Sequence, residues 1–309
     1  MTQILRIATR QSTLALWQAN YVRDLLLDSN SALQVEIIGF TTEGDRNQRS
    51  PLSKIGGKGL FVKELEVALL NGSADIAVHS MKDVPGELPV GLEIAAICER
   101  ADPRDALITR DGSSLKNFTS KARIGTSSLR RRIQLQQKFP NLDYLELRGN
   151  VDTRLGKLYD GLYDGIILAT AGLSRLGLAD RISEIIPVNV CLPSAGQGAV
   201  GIECRSDDQF VKSAIAPLNH GDTELCVTTE RAVTTHLGAN CTLPIAVYAD
   251  LQGEQMSLHS FVSDFSGQRI LRRAAEGSKT DSLRIAGEVA TGLMSEGAAV
   301  LIADEGGQQ

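Results

Sequence analysis

Gly125-Thr126-Ser127-Ser128, followed by Arg130, Arg131 and Arg132, is a run suited to negative charge. Hydroxyls and free backbone N–H groups would gather at the positive end of a helix. Guanidinium forks match the geometry of carboxylate or phosphate. The same residues also read as an ordinary capped helix with a solvated basic face. More arginines fall at other expected strand ends: Arg10, Arg148 and Arg175, with Arg154 shortly after Arg148. One alone would be a surface residue, whereas several at equivalent positions favour a small polyanion. Lys82-Asp83 closes another expected strand and is the best acid–base candidate. Its carboxylate could face a cationic intermediate or move a proton, or it could only form a salt bridge.

Other motifs fail on context. Gly196-Gln197-Gly198-Ala199-Val200-Gly201 fits G-x-G-x-x-G, yet the residues after it read as a strand, not the helix a dinucleotide site needs. A glycine-rich hinge is the better account. Gly56-Gly57-Lys58-Gly59 lacks both the first glycine and the following Ser or Thr of a phosphate loop. The four histidines (His79, His220, His236, His259) have no metal spacing, so no metal site is expected. The five cysteines (Cys98, Cys191, Cys204, Cys226, Cys241) are scattered and form no C-x-x-C, which points to neither disulfides nor a zinc ribbon.

These residues need a scaffold. Strands are expected at 4–8, 35–40, 74–78, 122–124, 144–147 and 164–169. Helices are expected at 13–28, 60–70, 129–138 and 223–235. Strands alternating with helices imply βαβ units and a mainly parallel sheet. The stripe Leu14, Trp17, Tyr21, Leu25 is the expected core face of the first helix. The polar stretch 43–59 reads as a mobile loop. After about residue 220 the texture changes to an antiparallel meander (245–251, 256–263, 269–275), then a helix at 282–294 and a last strand at 298–303.

The 309 residues exceed one ordinary core. A net charge of −5 argues against non-specific nucleic-acid binding. No apolar run is long enough for a membrane span. Arg6 and Arg10 interrupt the first apolar stretch, so no signal peptide is expected and the chain is read as cytoplasmic.

Several stretches, in order and over nearly the whole chain, resemble the porphobilinogen deaminase (hydroxymethylbilane synthase) family. They are Arg6 through Ser12, Lys54 through Phe61, Val78 through Pro85, Gly125 through Arg131, Leu147 through Val151 with Thr153-Arg154-Leu155, Ala169 through Leu176, and Ala195 through Ala199. The resemblance implies an α/β fold. Two periplasmic-binding-protein-like α/β domains with a cleft are joined to a small C-terminal α+β domain with a three-stranded antiparallel sheet. The implied domains are 1–98 with 199–216, 104–192, and 221–309.

It also implies a transferase of porphyrin and haem biosynthesis. Four porphobilinogen molecules would condense head to tail, each losing ammonia, onto a dipyrromethane cofactor held by a thioether, and hydrolysis would release hydroxymethylbilane. Asp83 matches the family's catalytic aspartate. Cys241 matches the covalent cofactor site, with Ser80, Lys82, Thr126, Ser127, Ser128, Arg130, Arg131 and Arg148 as further cofactor contacts. Arg10, Ser12, Arg148, Arg154 and Arg175 match substrate-binding positions. The growing polypyrrole chain, rich in acetate and propionate groups, would need these cations. A fixed carboxylate facing the electron-poor azafulvene would lower the barrier to coupling. The 43–59 loop could act as a lid. The implied protein is a monomer without nucleic-acid or membrane partners.

Two departures stand out. The cofactor cysteine usually follows Leu-Glu-Gly-Gly, but here it follows Leu237-Gly238-Ala239-Asn240. Glu43 stands where many relatives have arginine or threonine. The rival reading is a non-catalytic two-lobed protein that binds a small carboxylate, for which Cys241 would have no use.

Overall fold

The computed structural model describes residues 4–46, 59–238 and 243–303. The chain divides into two compact units. The first is Met1–Ala101 with Ala199–Glu224, and the second is Asp102–Gly198 with Leu225–Gln309.

The first unit is built on a five-stranded sheet. Its order is Gln34–Phe40, Ile4–Arg10, Ile76–Ser80, Val200–Arg205, Leu92–Ile97. The first three strands are parallel, and Val200–Arg205 runs antiparallel to both its neighbours. One face packs Leu5, Ile7, Ile76 and Val78 against the helix Thr13–Ser29. That helix buries Ala15, Gln18, Ala19, Val22 and Leu26, not the expected stripe. The small alanines let the backbone lie close to the sheet. The bulky Trp17 and Tyr21 stay half-buried beside this face and stack with ring centroids 5.3 Å apart. The expected loop at 43–59 opens with a short helix, Glu43–Arg46. Residues 47–58 lie outside the described residues, and so does the lid reading.

The other face of this sheet carries a buried ionisable group. The helix Lys63–Leu70 places Glu66, 8% exposed, near the His79–Glu203 pair. His79 Nε2 lies 2.8 Å from Glu203 Oε2, while Glu66 Oε1 and Glu203 Oε1 find no hydrogen-bond partner among the described residues. Burial first, then the Glu203 charge, pushes Glu66 up from 4.5 to about 7, against the opposing pull of His79. A carboxyl raised in the folded state binds more protons there than in the unfolded chain between those values. Its contribution to stability is therefore full below about 4.5 and is lost as pH rises through 7. Glu66→Gln mimics the neutral form. Urea unfolding should show the parent losing roughly 2 kcal/mol between pH 5 and 8 through this group, a loss absent from Glu66→Gln. An unchanged pH dependence in the variant would refute the assignment.

The second unit holds two sheets. The five-stranded one has the order Asp143–Leu145, Arg123–Gly125, Gly165–Ala169, Asp105–Thr109, Glu184–Ile186. Ile108, Leu147, Ile166 and Leu168 pack on one face, and Leu107, Ile124, Leu135 and Ile167 on the other. The three-stranded antiparallel meander is Ile245–Gln252, Gln255–Ser263, Ile270–Ser278. Its core joins Val247, Leu258 and Val262 to Ile285, Val289 and Leu293 of the helix Ser282–Ser295. Two sheet-and-helix lobes and a small three-stranded domain are the expected fold class. The last expected strand is instead a helix, Ala298–Ala303. Gly297, at φ +92°, ends the preceding helix. Ala298 and Leu301, one turn apart, then bury themselves on the meander's core.

Candidate functional site

In the first unit the strand Ile76–Ser80 runs into a 3-10 turn, Met81–Asp83. Met81 pins that turn. Its N–H donates to Ala199 O at 3.0 Å, and its side chain fills the space above Gly201, where an added Cβ would sit 2.0 Å from Met81 Sδ. Lys82 and Asp83 are left half-buried at the strand's end. The Asp83 carboxylate makes no hydrogen bond or ion pair with any described residue, so the salt-bridge reading of Lys82-Asp83 does not describe it.

Around the turn, Ser80 Oγ accepts from Gln18 Nε2 at 2.8 Å, and Ser12 caps the first helix by accepting from Ala15 N at 3.3 Å. Arg10 pairs with Asp45: Nε donates to Oδ2 at 3.0 Å, and Nη2 donates to Oδ1. Its guanidinium also lies 4.4 Å over the Phe61 ring. Burial would raise the Asp45 carboxyl, but Arg10 and Thr42 override it and hold it below the usual range. The sequence reading gave neither Asp45 nor Phe61 a ligand role: Asp45 lies within the 43–59 stretch that reads as a loop, and Phe61 just after it.

In the second unit the helix Leu129–Lys138 starts as expected. Ser128 caps it through Arg131 N, and Thr126 Oγ1 accepts from Ser128 N at 3.2 Å; Ser127 is half-buried. The arginines after it are not on a solvated face. Arg130 and Arg131 are 3% and 6% exposed, and both turn onto Asp105, which is wholly buried. Arg130 Nη2 donates to Asp105 Oδ2 at 2.8 Å, and Arg131 donates to Oδ1 from Nε at 3.0 Å and Nη2 at 2.7 Å. Burial opposes the Asp105 charge, but the two guanidiniums win and hold its carboxyl far below the usual range. The signal for Asp105 was a carboxylate opening an otherwise apolar strand.

The other arginines take separate partners. Arg154 Nε donates to Gly149 O at 2.7 Å, and Arg175 Nη2 donates to Gly198 O at 2.6 Å. Among the described residues Arg148 Nη1 is buried without a hydrogen-bond partner, and so is Arg130 Nε. Such orphaned N–H groups are costly unless an acceptor meets them. A ligand with several carboxylates has the chemistry to do so. Cys241 lies outside the described residues. Cys98, Cys191, Cys204 and Cys226 are buried. Among the described residues no group of His, Cys, Asp and Glu could hold a metal ion, and no helix is long and apolar enough to cross a membrane. The glycine pair Gly196 and Gly198 adopts positive φ and leads into the strand Val200–Arg205, which removes the dinucleotide reading.

Fold and side chains together define a two-lobed α/β protein with an added α+β domain, in which Arg130 and Arg148 bury N–H groups unmet by any described residue. The chain belongs to the porphobilinogen deaminase family: "Porphobilinogen deaminase, dipyromethane cofactor binding domain" matches residues 5–213, and "Porphobilinogen deaminase, C-terminal domain" matches 224–295. Its place is in porphyrin biosynthesis, among transferases that carry a dipyrromethane cofactor. Among solved structures, the periplasmic VFT2 domain of BvgS from Bordetella pertussis is 14% identical, over 74% of this chain and 93% of that one, with a TM-score of 0.42. The periplasmic sulfonate-binding protein SsuA from Methylobacillus flagellatus is 15% identical, over 74% and 66%, with a TM-score of 0.37. YhfZ from Shigella flexneri is 13% identical, over 78% and 99%, at 0.35. Values this low say nothing about the site.

Proposed function

We propose that this chain is a hydroxymethylbilane synthase. It condenses four porphobilinogen molecules head to tail, with loss of ammonia, and releases the linear tetrapyrrole by hydrolysis. The cofactor is held through a thioether at Cys241. When bound, the dipyrromethane supplies the pyrrole carbon to which the first substrate is joined.

The chain's own residues bind, orient and stabilise. Arg130, Arg131 and Arg148, with Ser80, Lys82, Thr126, Ser127 and Ser128, hold the cofactor's acid side chains. Arg10, Ser12, Arg154 and Arg175, again with Arg148, take those of the substrate. Asp83 faces the positive charge that develops on the substrate as ammonia leaves. The observation that carries this reading is the Asp83 carboxylate, fixed at a strand end by the Met81 anchor and without a partner among the described residues, in a chain of this family. A carboxylate paired inside the fold would have little left to offer a cation. The protein acts as a monomer in the cytoplasm.

Turnover and mass test the proposal together. Purified protein should consume porphobilinogen with one ammonia released for each, and its intact mass should exceed that of the sequence by two pyrrole units. A bare mass that stays bare after incubation with porphobilinogen would sink the enzyme reading and favour a carboxylate-binding protein.

A further inference from the structure

Two buried guanidiniums share one buried carboxylate in the second unit. Arg130 and Arg131 both close on Asp105, and among the described residues no other charged side chain meets them there. The nearby Cys191 thiol donates to Asp105 Oδ2 at 3.4 Å and is pushed up to about 12, chiefly by burial, so it adds no negative charge. Among the described residues the cluster therefore keeps one positive charge in excess, and Arg130 Nε stays buried without an acceptor. A cluster that served the fold alone would balance its charge, because an uncompensated buried ion is destabilising.

Gln197 completes the arrangement. Its Nε2 donates to Asp105 Oδ1 at 2.8 Å and to Pro103 O at 2.6 Å. Pro103 and Gln197 lie in the second unit, beside two of the three points where the chain passes between its units, at residues 101–102, 198–199 and 224–225. The second segment is held further. Gln134 of the arginine helix pairs with the Leu192 backbone in both directions, at 3.0 and 3.2 Å, and Arg130 Nη1 donates to the same carbonyl. Gly196 N donates to the buried Glu230 at 2.7 Å.

We propose that Asp105 and Gln197 are positioning residues: they hold Arg130 and Arg131 as a preformed pair with one positive charge to spare, and they fasten that pair to two of the three crossing segments. A pair fixed in advance loses little side-chain freedom when an acid group arrives. The excess charge is what draws that group in. This inference rests on the proposed function, since it assigns the pair to the cofactor's carboxylates.

Gln197→Glu and Gln197→Met separate positioning from mere support. Gln197→Glu brings a second carboxylate to two guanidiniums and cancels the excess charge. The fold should survive, with a melting temperature near that of the parent, but the intact mass should show incomplete cofactor attachment and kcat should fall at least tenfold. Gln197→Met keeps the charge and removes the tie. It should keep the full mass and a KM within twofold, lower kcat several-fold, and speed hydrogen exchange over residues 191–198. A purely structural Gln197 predicts the reverse for the glutamate variant: full mass and parental kcat. If Gln197→Glu does not fold, Gln197→Met decides alone, and parental kcat together with parental exchange overturns the proposal. Failure of the parent to consume porphobilinogen is a different result; it removes the functional reading, and this inference with it.

Discussion

Serine in place of Cys241 should give a protein that lacks the two-pyrrole mass excess of its parent and has no turnover above background. The reason is nucleophilicity. Anchoring an electron-poor pyrrole as a thioether needs a thiolate, and an ordinary cysteine supplies a few per cent of it near neutral pH. A serine hydroxyl supplies almost none. Without the anchor there is nothing to extend, so the expected fall in turnover is more than about 10³-fold. Nor can another cysteine take over, because Cys98, Cys191, Cys204 and Cys226 are all buried. The flanking sequence does not weaken the expectation. Gly238 already adopts φ +63°, and Asn240 tolerates a left-handed backbone better than most residues. Mass spectrometry of both proteins, before and after porphobilinogen, reads the outcome. A serine variant that keeps the excess would place the attachment on some other nucleophile.

What could be read from the residues, and what could not, divides along the range of the interactions involved. Strand-helix alternation, the capped start at Ser128 and the strand end at Lys82-Asp83 are local patterns, and the structure contains them all. The first helix went astray by one residue because large apolar side chains were weighed above small ones. Contact with a sheet selects Ala15 and Ala19 for closeness, which size conceals. Ala298–Ala303 is a short apolar run, and such runs do not separate strand from helix by periodicity. The buried arginines are the instructive case. Arg130 and Arg131 read as an anion site or as a solvated basic face, because nothing nearby in sequence neutralises them, and the residues alone give Asp105 no part in it. Twenty-five residues separate Arg130 from Asp105, and only the pairing of strand Asp105–Thr109 with Gly165–Ala169 brings the carboxylate under the helix. Arg10 and Asp45, thirty-five apart, repeat the lesson.

Asn in place of Asp83 should cost activity without costing stability. The side chains are nearly isosteric, and the carboxylate has no partner among the described residues to be orphaned by the change, so thermal midpoints should agree within a few degrees. The charge is what disappears. Asparagine offers a dipole where ammonia loss calls for a full negative charge, and removing one preorganised electrostatic group of this kind costs about 10²–10³ in kcat, or roughly 3–4 kcal/mol. KM should move little, because the substrate's acid groups are left to the arginines. Asp83→Glu restores the charge but carries it one methylene further, from a turn that Met81 and Gly201 hold tightly, so only part of the rate should return. Steady-state kinetics with porphobilinogen, beside melting curves, distinguish the cases. Loss of kcat with an unchanged midpoint, partly recovered by glutamate, is the signature of a carboxylate that acts on substrate. Equal losses in both variants, with lowered midpoints, would mark Asp83 as part of the turn's support and leave the stabilisation of the departing ammonia's cation to another group.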